Sequence, residues 1–326
     1  MAADRTRSTP GSLFFLGKVA ISVGLLGLLF WQADRAAFLR TIATLSPLVY
    51  LGCALLYLLG HFVSVVRWQR LLAAENIRLP FGRLCLVYFE GAFFNLFLPT
   101  LIGGDIVRGF AIYKITGGHP ASLASILLDR LSGFAALILI SLFSLGAGFG
   151  KIPNPQIAVM VLCVAGAFLV LLTLLVNDRV KDWAGGLLRV VGLSRFQARL
   201  QGLVDAIHRY RGHRLVLLQA CLLSVVLQVL IIVTYAVVGW SMRIDIPLIY
   251  FFIFVPLVTV VSMLPVSLAG LGVRESGVVY FFSLVGVDAA TSLSMSLVWF
   301  SLTVLVSSLG GPAFLLNQHH AKRDEE

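Results

Sequence analysis

The segment that decides the fold is Leu98–Arg108, which reads LPTLIGGDIVR within a long apolar region. A proline, two adjacent glycines, an aspartate and an arginine interrupt the apolar pattern, so the region does not have the pattern of one continuous spanning helix. A second interrupted segment, Leu264–Arg274, reads LPVSLAGLGVR. The two segments align without gaps, with a leucine, a proline, a glycine, a valine and an arginine at the same five of eleven positions. The chain therefore contains two broken apolar segments that resemble each other.

The composition around these segments is that of a membrane protein. Of the 326 residues, 59% are hydrophobic and 12% are charged, and the mean hydropathy is +0.96. A soluble domain carries about 25% charged residues, so both a soluble globular protein and a disordered one are excluded. Apolar runs of about 20 residues favour helices over a β-barrel, whose strands alternate over about 10 residues. We predict an all-α polytopic membrane protein with a single integral membrane domain over residues 1–326.

Six long apolar runs predict transmembrane helices. Two further apolar regions, Leu84–Ile115 and Pro247–Val287, contain the broken segments. The six predicted spans are Leu13–Trp31, Pro47–Val66, Ala121–Phe149, Gln156–Val176, Leu215–Trp240 and Thr291–Leu316.

The distribution of basic residues predicts how the broken regions lie. Residues 177–214 contain eight Lys and Arg and should be cytoplasmic, as should the basic stretch Arg67–Arg83. With both on one side, each broken region must return to the side from which it enters. We therefore predict two re-entrant helical hairpins and cytoplasmic N- and C-termini, with 20 of the 25 Lys and Arg on the inner side of a bacterial-type inner membrane.

The order of elements predicts an internal repeat. Residues 13–149 read helix, helix, hairpin, helix, and residues 156–316 read the same, with the basic loop 177–214 after the first helix. The halves begin on opposite sides, as in the inverted repeats of secondary transporters, whose sites lie between discontinuous helices. The loop also carries an apolar stripe that predicts an amphipathic helix bound to anionic inner-leaflet lipids, formed by Phe196, Leu200, Leu203, Val204 and Ile207.

Charged residues within the hairpins are the candidate functional residues, because a charge at membrane depth costs at least about 2.5 kcal/mol. The guanidinium groups of Arg108 and Arg274 suit the phosphate of an anionic lipid headgroup. Backbone N–H groups at the glycine turns and the starts of half-helices would also favour an anion. The remaining predicted substrate-binding residues are Asn95, Gly103, Gly104, Asp105, Ser267, Gly270, Gly272 and Glu275.

Other charged residues are given supporting roles. Glu90, Asp105 and Glu275 would orient the arginines or exchange protons. The adjacent Asp129 and Arg130 either form an interfacial pair or line the access route to the site. The alternative to a binding site is that each arginine only neutralises a neighbouring acid and fixes the hairpin turn.

Nothing in the sequence indicates a cofactor, a metal ion or a nucleic-acid partner. The net charge of +10 is accounted for by the cytoplasmic loops. The four cysteines stand singly in apolar runs, and the sequence lacks an H-E-x-x-H motif and a P-loop.

Four blocks of residues resemble the lysylphosphatidylglycerol-synthase transmembrane-region family, also described as flippase-like membrane proteins. The resemblance covers nearly the whole chain. It implies translocation of phospholipids or polyprenyl-phosphate-linked lipids between leaflets. The chain ends at Glu326 with a short charged tail, so we expect that it does not itself make lysyl lipid. The blocks are Arg67-Trp68-x-x-Leu71-Leu72, Phe94-Asn95-x-x-Leu98-Pro99-x-x-x-Gly103-Gly104-Asp105-x-x-Arg108, Leu128-Asp129-Arg130-Leu131-x-Gly133 and Leu264-Pro265-x-Ser267-x-x-Gly270-x-Gly272-Val273-Arg274-Glu275.

The predicted function is a lipid translocase, a transporter rather than an enzyme. One alternative is a membrane glycosyltransferase that uses polyprenyl-phosphate sugars, with Asp105 or Glu275 as the base. Another is a non-catalytic scaffold for a partner synthase or glycosyltransferase. A transporter of small solutes or ions would share the inverted repeat.

Overall fold

The structure is a computed structural model that describes residues 43–98, 103–117, 121–148, 155–176, 210–263, 267 and 270–314, with short pieces at 23–24 and 27–28. Over these residues the chain forms nine α-helices and a 3-10 turn at Tyr210–Gly212, without any strand. Five helices are long: α1 Pro47–Ala74, α4 Ala121–Ala147, α5 Pro155–Val176, α6 Arg214–Ser241 and α9 Ala289–Ser307. Four are short: α2 Phe81–Phe94, α3 Gly103–Ile115, α7 Leu248–Ser262 and α8 Val273–Ser283.

The five long helices are long and apolar enough to cross a membrane, with mean hydropathies between 1.7 and 2.7 in their most apolar windows. Their outer faces carry large apolar side chains, such as Leu48 and Phe143, that are each 79% exposed and suit contact with lipid. They confirm five of the six predicted spans, and the chain is a multi-pass membrane protein. Most of the sixth span, Leu13–Trp31, and the whole amphipathic stripe lie outside the described residues.

Each broken apolar region forms a pair of short helices that pack against each other, α2 with α3 and α7 with α8. The four helices contain 14, 13, 15 and 11 residues. At 1.5 Å per residue they are about 17 to 22 Å long, which is shorter than the hydrocarbon core of about 30 Å. None of these four helices is therefore long enough to span a bilayer alone.

Glycines permit the tight geometry of both pairs. A Cβ atom on Gly104 would lie 2.7 Å from the carbonyl carbon of Gly91, so α2 and α3 cross with their backbones in contact. Before α8, Gly270 and Gly272 have φ angles of 76° and 82°, in the left-handed region that glycine adopts without strain. Glycines thus permit the close crossing of α2 and α3 and the backbone conformation just before α8.

The helices are arranged as two groups of four, α1–α4 and α6–α9, and each group has the order long, short, short, long. Helix α6 packs along α1 and α4, α7 packs on α4, and α9 packs on α1, so the two groups interleave. The largest apolar cluster includes the fully buried Phe251, Phe254, Phe282 and Met295. This packing encloses polar side chains between the groups.

The predicted C-terminal end of helix α1, at Val66, was wrong. Helix α1 does not end near Val66 but continues to Ala74, so Arg67 and Arg70 are helical and are not part of a loop. Arg67 is buried, because Asp129 of α4 pairs with its guanidinium group. An arginine with a carboxylate partner can remain inside a membrane helix, whereas an unpaired one would be costly.

Candidate functional site

A cavity of about 330 Å³ lies between the two groups of helices. Residues from α1 to α4 and from α6 to α9 line it, whereas α5 contributes none. Pockets for small molecules have volumes of about 300–1,000 Å³. The cavity therefore has room for a lipid headgroup but not for a whole lipid.

One end of the cavity is an arginine cluster, formed by Arg67, Asp105, Arg108, Asp129 and Arg130. Arg67 Nε donates to Asp129 Oδ1 at 2.7 Å, and Arg108 Nη2 donates to Asp129 Oδ2 at 3.4 Å. Arg108 Nη1 donates to Asp105 Oδ1 at 3.2 Å, and Arg130 Nε donates to the second oxygen of Asp105. Three arginines thus share two aspartates, so the cluster carries one positive charge in excess.

Arg108 contacts two aromatic rings. Its guanidinium carbon lies 4.2 Å from the ring centre of Trp68 and 4.2 Å from that of Tyr88. Trp68 is itself fixed by a hydrogen bond of 3.1 Å from its indole N–H to Ser125 Oγ. These cation–π contacts with two neighbouring rings help to hold the guanidinium group in place.

Arg108 has unused hydrogen-bonding capacity. Its two bonds, at 3.2 and 3.4 Å, are longer than the 2.7–2.9 Å that is usual between an arginine and a carboxylate. Its Nε–H has no hydrogen-bond partner among the residues that the structure describes, although the side chain is only 5% exposed. Arg108 can therefore form stronger bonds to a ligand than it forms to its own carboxylates.

Arg274, at the start of α8, is a second cationic side chain in the cavity wall. Its Nε donates to Glu275 Oε1 at 2.9 Å, its Nη2 donates to the same oxygen, and its guanidinium carbon lies 5.1 Å from the ring centre of Phe300. Glu275 Oε2 accepts the N–H of Gly272 at 2.6 Å, which caps the first turn of α8. Glu275 thus fixes both the helix start and the arginine.

Helix α6 gives the distance between the two ends of the cavity. Ser224 Oγ accepts a hydrogen bond of 2.7 Å from Arg67 and so marks the arginine cluster. Tyr235 stacks on Trp299 with ring centres 4.2 Å apart and marks an aromatic end, where Tyr57 also contacts Trp299. Eleven residues of helix separate Ser224 from Tyr235, which corresponds to about 16 Å.

Six of the predicted site residues line this cavity: Asn95, Asp105, Arg108, Asp129, Arg130 and Arg274. Other predicted residues do not line it and lie beside it or in the turns: Glu90, Gly103, Gly104, Ser267, Gly270, Gly272 and Glu275. The N–H of Gly104 donates to Asn95 Oδ1 at 2.6 Å, and that of Gly272 is bonded to Glu275. Both N–H groups are therefore occupied by side chains of the same hairpin.

Sequence reasoning missed several residues of the cavity wall. Arg67 was interpreted as a loop charge, and Tyr88 lacks any polar pattern that would have singled it out. Gln228 was missed although an amide within the apolar run Leu215–Trp240 is itself a signal. In the described part of the chain, no group of three His, Cys, Asp or Glu side chains is placed to hold a metal ion.

Comparison with known proteins gives one match. Residues 15–311, about nine tenths of the chain, match the family described as "Lysylphosphatidylglycerol synthase TM region". No curated protein matches the chain. No solved structure matches it. On the strength of the family match, which contains every described residue of the cavity wall, the chain belongs to the lysylphosphatidylglycerol synthase transmembrane-region family.

Proposed function

We propose that this protein is a lipid translocase that moves an anionic, phosphate-bearing lipid between leaflets. In the proposal Arg108 holds the lipid phosphate in the cavity and Arg274 receives it near the aromatic end. Membership of a family named for a lipid-modifying membrane protein supports a lipid substrate. The flippase activity itself is our inference from the cavity.

The observation that carries the proposal is the state of Arg108. This side chain is 5% exposed, in contact with the rings of Trp68 and Tyr88, bound only at long distance to two aspartates, and without a partner for its Nε–H in the described structure. A purely structural arginine would be expected to have its donors satisfied, because a buried unsatisfied donor costs about 1–3 kcal/mol. A phosphate in the cavity beside the guanidinium group, in place of the two aspartates, would supply acceptors in the geometry that arginine prefers.

The length of the cavity supports movement of the headgroup rather than simple binding. The aromatic end, where Arg274 contacts Phe300, lies about 16 Å from the arginine cluster by the spacing along α6. A headgroup could exchange one arginine for another over this distance without entering hydrocarbon as a bare charge, which would be costly. The two candidate bases of a glycosyltransferase, Asp105 and Glu275, are both ion-paired with arginines, which favours the translocase.

The proposal includes a topology. The short pairs α2–α3 and α7–α8 would be re-entrant hairpins that enter from opposite sides, and α1–α4 and α6–α9 would belong to the two inverted halves. With the basic loop 177–214 and both termini in the cytoplasm of a bacterial-type cell, the arginine cluster lies nearer the inner leaflet. Arg67 lies 20 residues, or about 30 Å, along α1 from Pro47, which is the outer end in this topology.

The proposal can be tested by reconstituting the purified protein into vesicles that contain a fluorescent phosphatidylglycerol. Bleaching of the outer leaflet with dithionite measures how fast the labelled lipid exchanges between leaflets. Loss of hydrogen bonds to a charged group costs about 1.5–3 kcal/mol, so Arg108→Gln should slow exchange at least about tenfold. Arg108→Lys keeps the charge but not the planar fork, and we expect an intermediate rate.

The matched control is Arg70→Gln, which removes an exposed arginine from α1 and should leave exchange unchanged. Each variant is first compared with the wild type by thermal unfolding in detergent, so that a loss of fold is distinguished from a loss of activity. Wild-type exchange rates in a correctly folded Arg108→Gln protein would contradict the assignment of Arg108 to the phosphate.

A further inference from the structure

The side chain of Gln228 is buried in the cavity wall without a partner. It projects from α6, the residue is 7% exposed, and its amide makes no hydrogen bond to any residue that the structure describes. Its polar atoms open onto the cavity, where a ligand or water can bind them. The amide of Gln228 therefore marks a place where the cavity is built to make a polar contact.

Two more polar groups near Gln228 share this property. The hydroxyl of Tyr235 and the indole N–H of Trp299 also lack hydrogen-bond partners among the described residues, although these residues are 4% and 8% exposed and line the cavity. By contrast, the hydroxyls of Thr259 and Ser262 in the same wall donate to carbonyls of their own helix at 2.8 and 2.6 Å. Gln228, Tyr235 and Trp299 thus present three neutral polar groups to the cavity, in addition to the cationic Arg108.

The spacing along α6 places this stretch next to the proposed phosphate position. Gln228 is four residues, or about 6 Å, beyond Ser224, which binds the arginine cluster, and Tyr235 is about 10 Å further on. A group esterified to a phosphate extends several ångströms from it. The substituent on a phosphate held at Arg108 would therefore reach the amide of Gln228.

We propose that Gln228, Tyr235 and Trp299 form a specificity subsite for a neutral, hydroxyl-bearing headgroup attached to the lipid phosphate, such as a glycerol or a sugar ring. The proposal rests on the proposed lipid-phosphate function of Arg108. An amide and a phenol both donate and accept hydrogen bonds, as hydroxyl groups require, and the aromatic rings pack against the C–H faces of such a headgroup.

The charges of the wall disfavour the other common kind of headgroup, one that carries an amine. Among the described residues of the wall, the carboxylates are Asp105 and Asp129, and both are bonded to arginines. An ammonium group would thus meet no unpaired anion and would lie near four arginines, Arg67, Arg108, Arg130 and Arg274. Repulsion of this kind is an effective way to exclude a wrong ligand.

The test measures the affinities of the full-length protein in detergent for four probes: phosphatidylglycerol, phosphatidic acid, a polyprenyl glucosyl phosphate and lysyl-phosphatidylglycerol. Wild type should bind the two hydroxylated probes more tightly than phosphatidic acid and should bind the lysyl lipid most weakly. Gln228→Met retains the length of the side chain and removes its amide. This substitution should lower the affinity for the two hydroxylated probes about two- to tenfold, which corresponds to the loss of one hydrogen bond. The affinity for phosphatidic acid should not change.

Tyr235→Phe should lower the affinity for the hydroxylated probes in the same way as Gln228→Met. The control is Gln219→Met, on the exposed side of α6, which should leave the affinity for all four probes unchanged. The tighter of the two hydroxylated probes tells whether the subsite accepts glycerol or a sugar ring. Equal effects of Gln228→Met on all probes, no effect on any probe, or tight binding of the lysyl lipid would overturn the subsite. Unchanged binding of phosphatidic acid to Arg108→Gln would instead overturn the proposed function, so the two failures are distinguishable.

Discussion

The crossing of α2 and α3 at Gly91 and Gly104 allows a quantitative prediction for Gly104→Ala. The new methyl carbon would lie 2.7 Å from the carbonyl carbon of Gly91 and closer still to its oxygen. Carbon atoms in contact prefer 3.5–4.0 Å, so the two helices must separate by about 0.8 Å or more. The obstacle is backbone, which cannot rotate away as a side chain would.

Separation of the helices has two costs. Overpacking a close-packed site costs about 1–3 kcal/mol of stability. The separation would also break the hydrogen bond of 2.6 Å from the Gly104 N–H to Asn95, and the loss of this bond costs about 1 kcal/mol. We expect Gly104→Ala to lower the free energy of unfolding by about 2–4 kcal/mol. Because Arg108 lies one turn further along α3, the arginine cluster should be displaced as well.

Unfolding in mixed micelles of SDS and a mild detergent, followed by tryptophan fluorescence, measures this change. Gly82→Ala is the matched control, since a Cβ atom at this position of α2 meets nothing within 4 Å. It should leave the free energy of unfolding unchanged or raise it slightly, because alanine favours the helix. Equal stability of Gly104→Ala and Gly82→Ala would refute the close crossing of the hairpin.

Three further substitutions test the buried contacts by the same unfolding measurement. Asp129→Asn leaves the buried Arg67 and Arg108 with one carboxylate fewer, and we expect a loss of about 3–5 kcal/mol, as for other broken buried ion pairs. Glu275→Gln weakens the cap of α8 and the hold on Arg274, so lipid exchange should fall together with a loss of stability of about 1–2 kcal/mol. Tyr210→Phe removes a hydrogen bond of 2.8 Å to the end of α1 and should cost about 1 kcal/mol without slowing lipid exchange.

The long helices and the broken regions could be predicted because they depend on local properties of the sequence. An apolar run of membrane length has few alternatives to a helix, and a proline followed by glycines interrupts one. The i, i+3 spacing of Asp105 and Arg108 is likewise a local feature, and the two side chains form an ion pair with atoms 3.2 Å apart. These inferences need no knowledge of what else the helix touches.

The limits of α1 and the composition of the cavity wall depend instead on partners that are distant in sequence. Arg67 stands 62 residues before Asp129, and no local pattern shows that the two charges meet. Without that pairing, an arginine after an apolar run indicates the end of the span. The contacts of Arg108 with Trp68 and Tyr88 could not be predicted for the same reason, because the three residues come from three helices.

The two aspartates of the arginine cluster explain how so much positive charge can be buried in one place. Three unpaired buried arginines would be very costly, and in the proposed mechanism a phosphate bound to them would leave only slowly. Asp105 and Asp129 neutralise most of the charge and, in the proposed mechanism, exchange with the lipid phosphate. Binding must be favourable enough for a headgroup to enter and weak enough for it to leave, and partial neutralisation meets both conditions. The long bonds of Arg108, at 3.2 and 3.4 Å, identify the arginine that would exchange its aspartates for the lipid phosphate first.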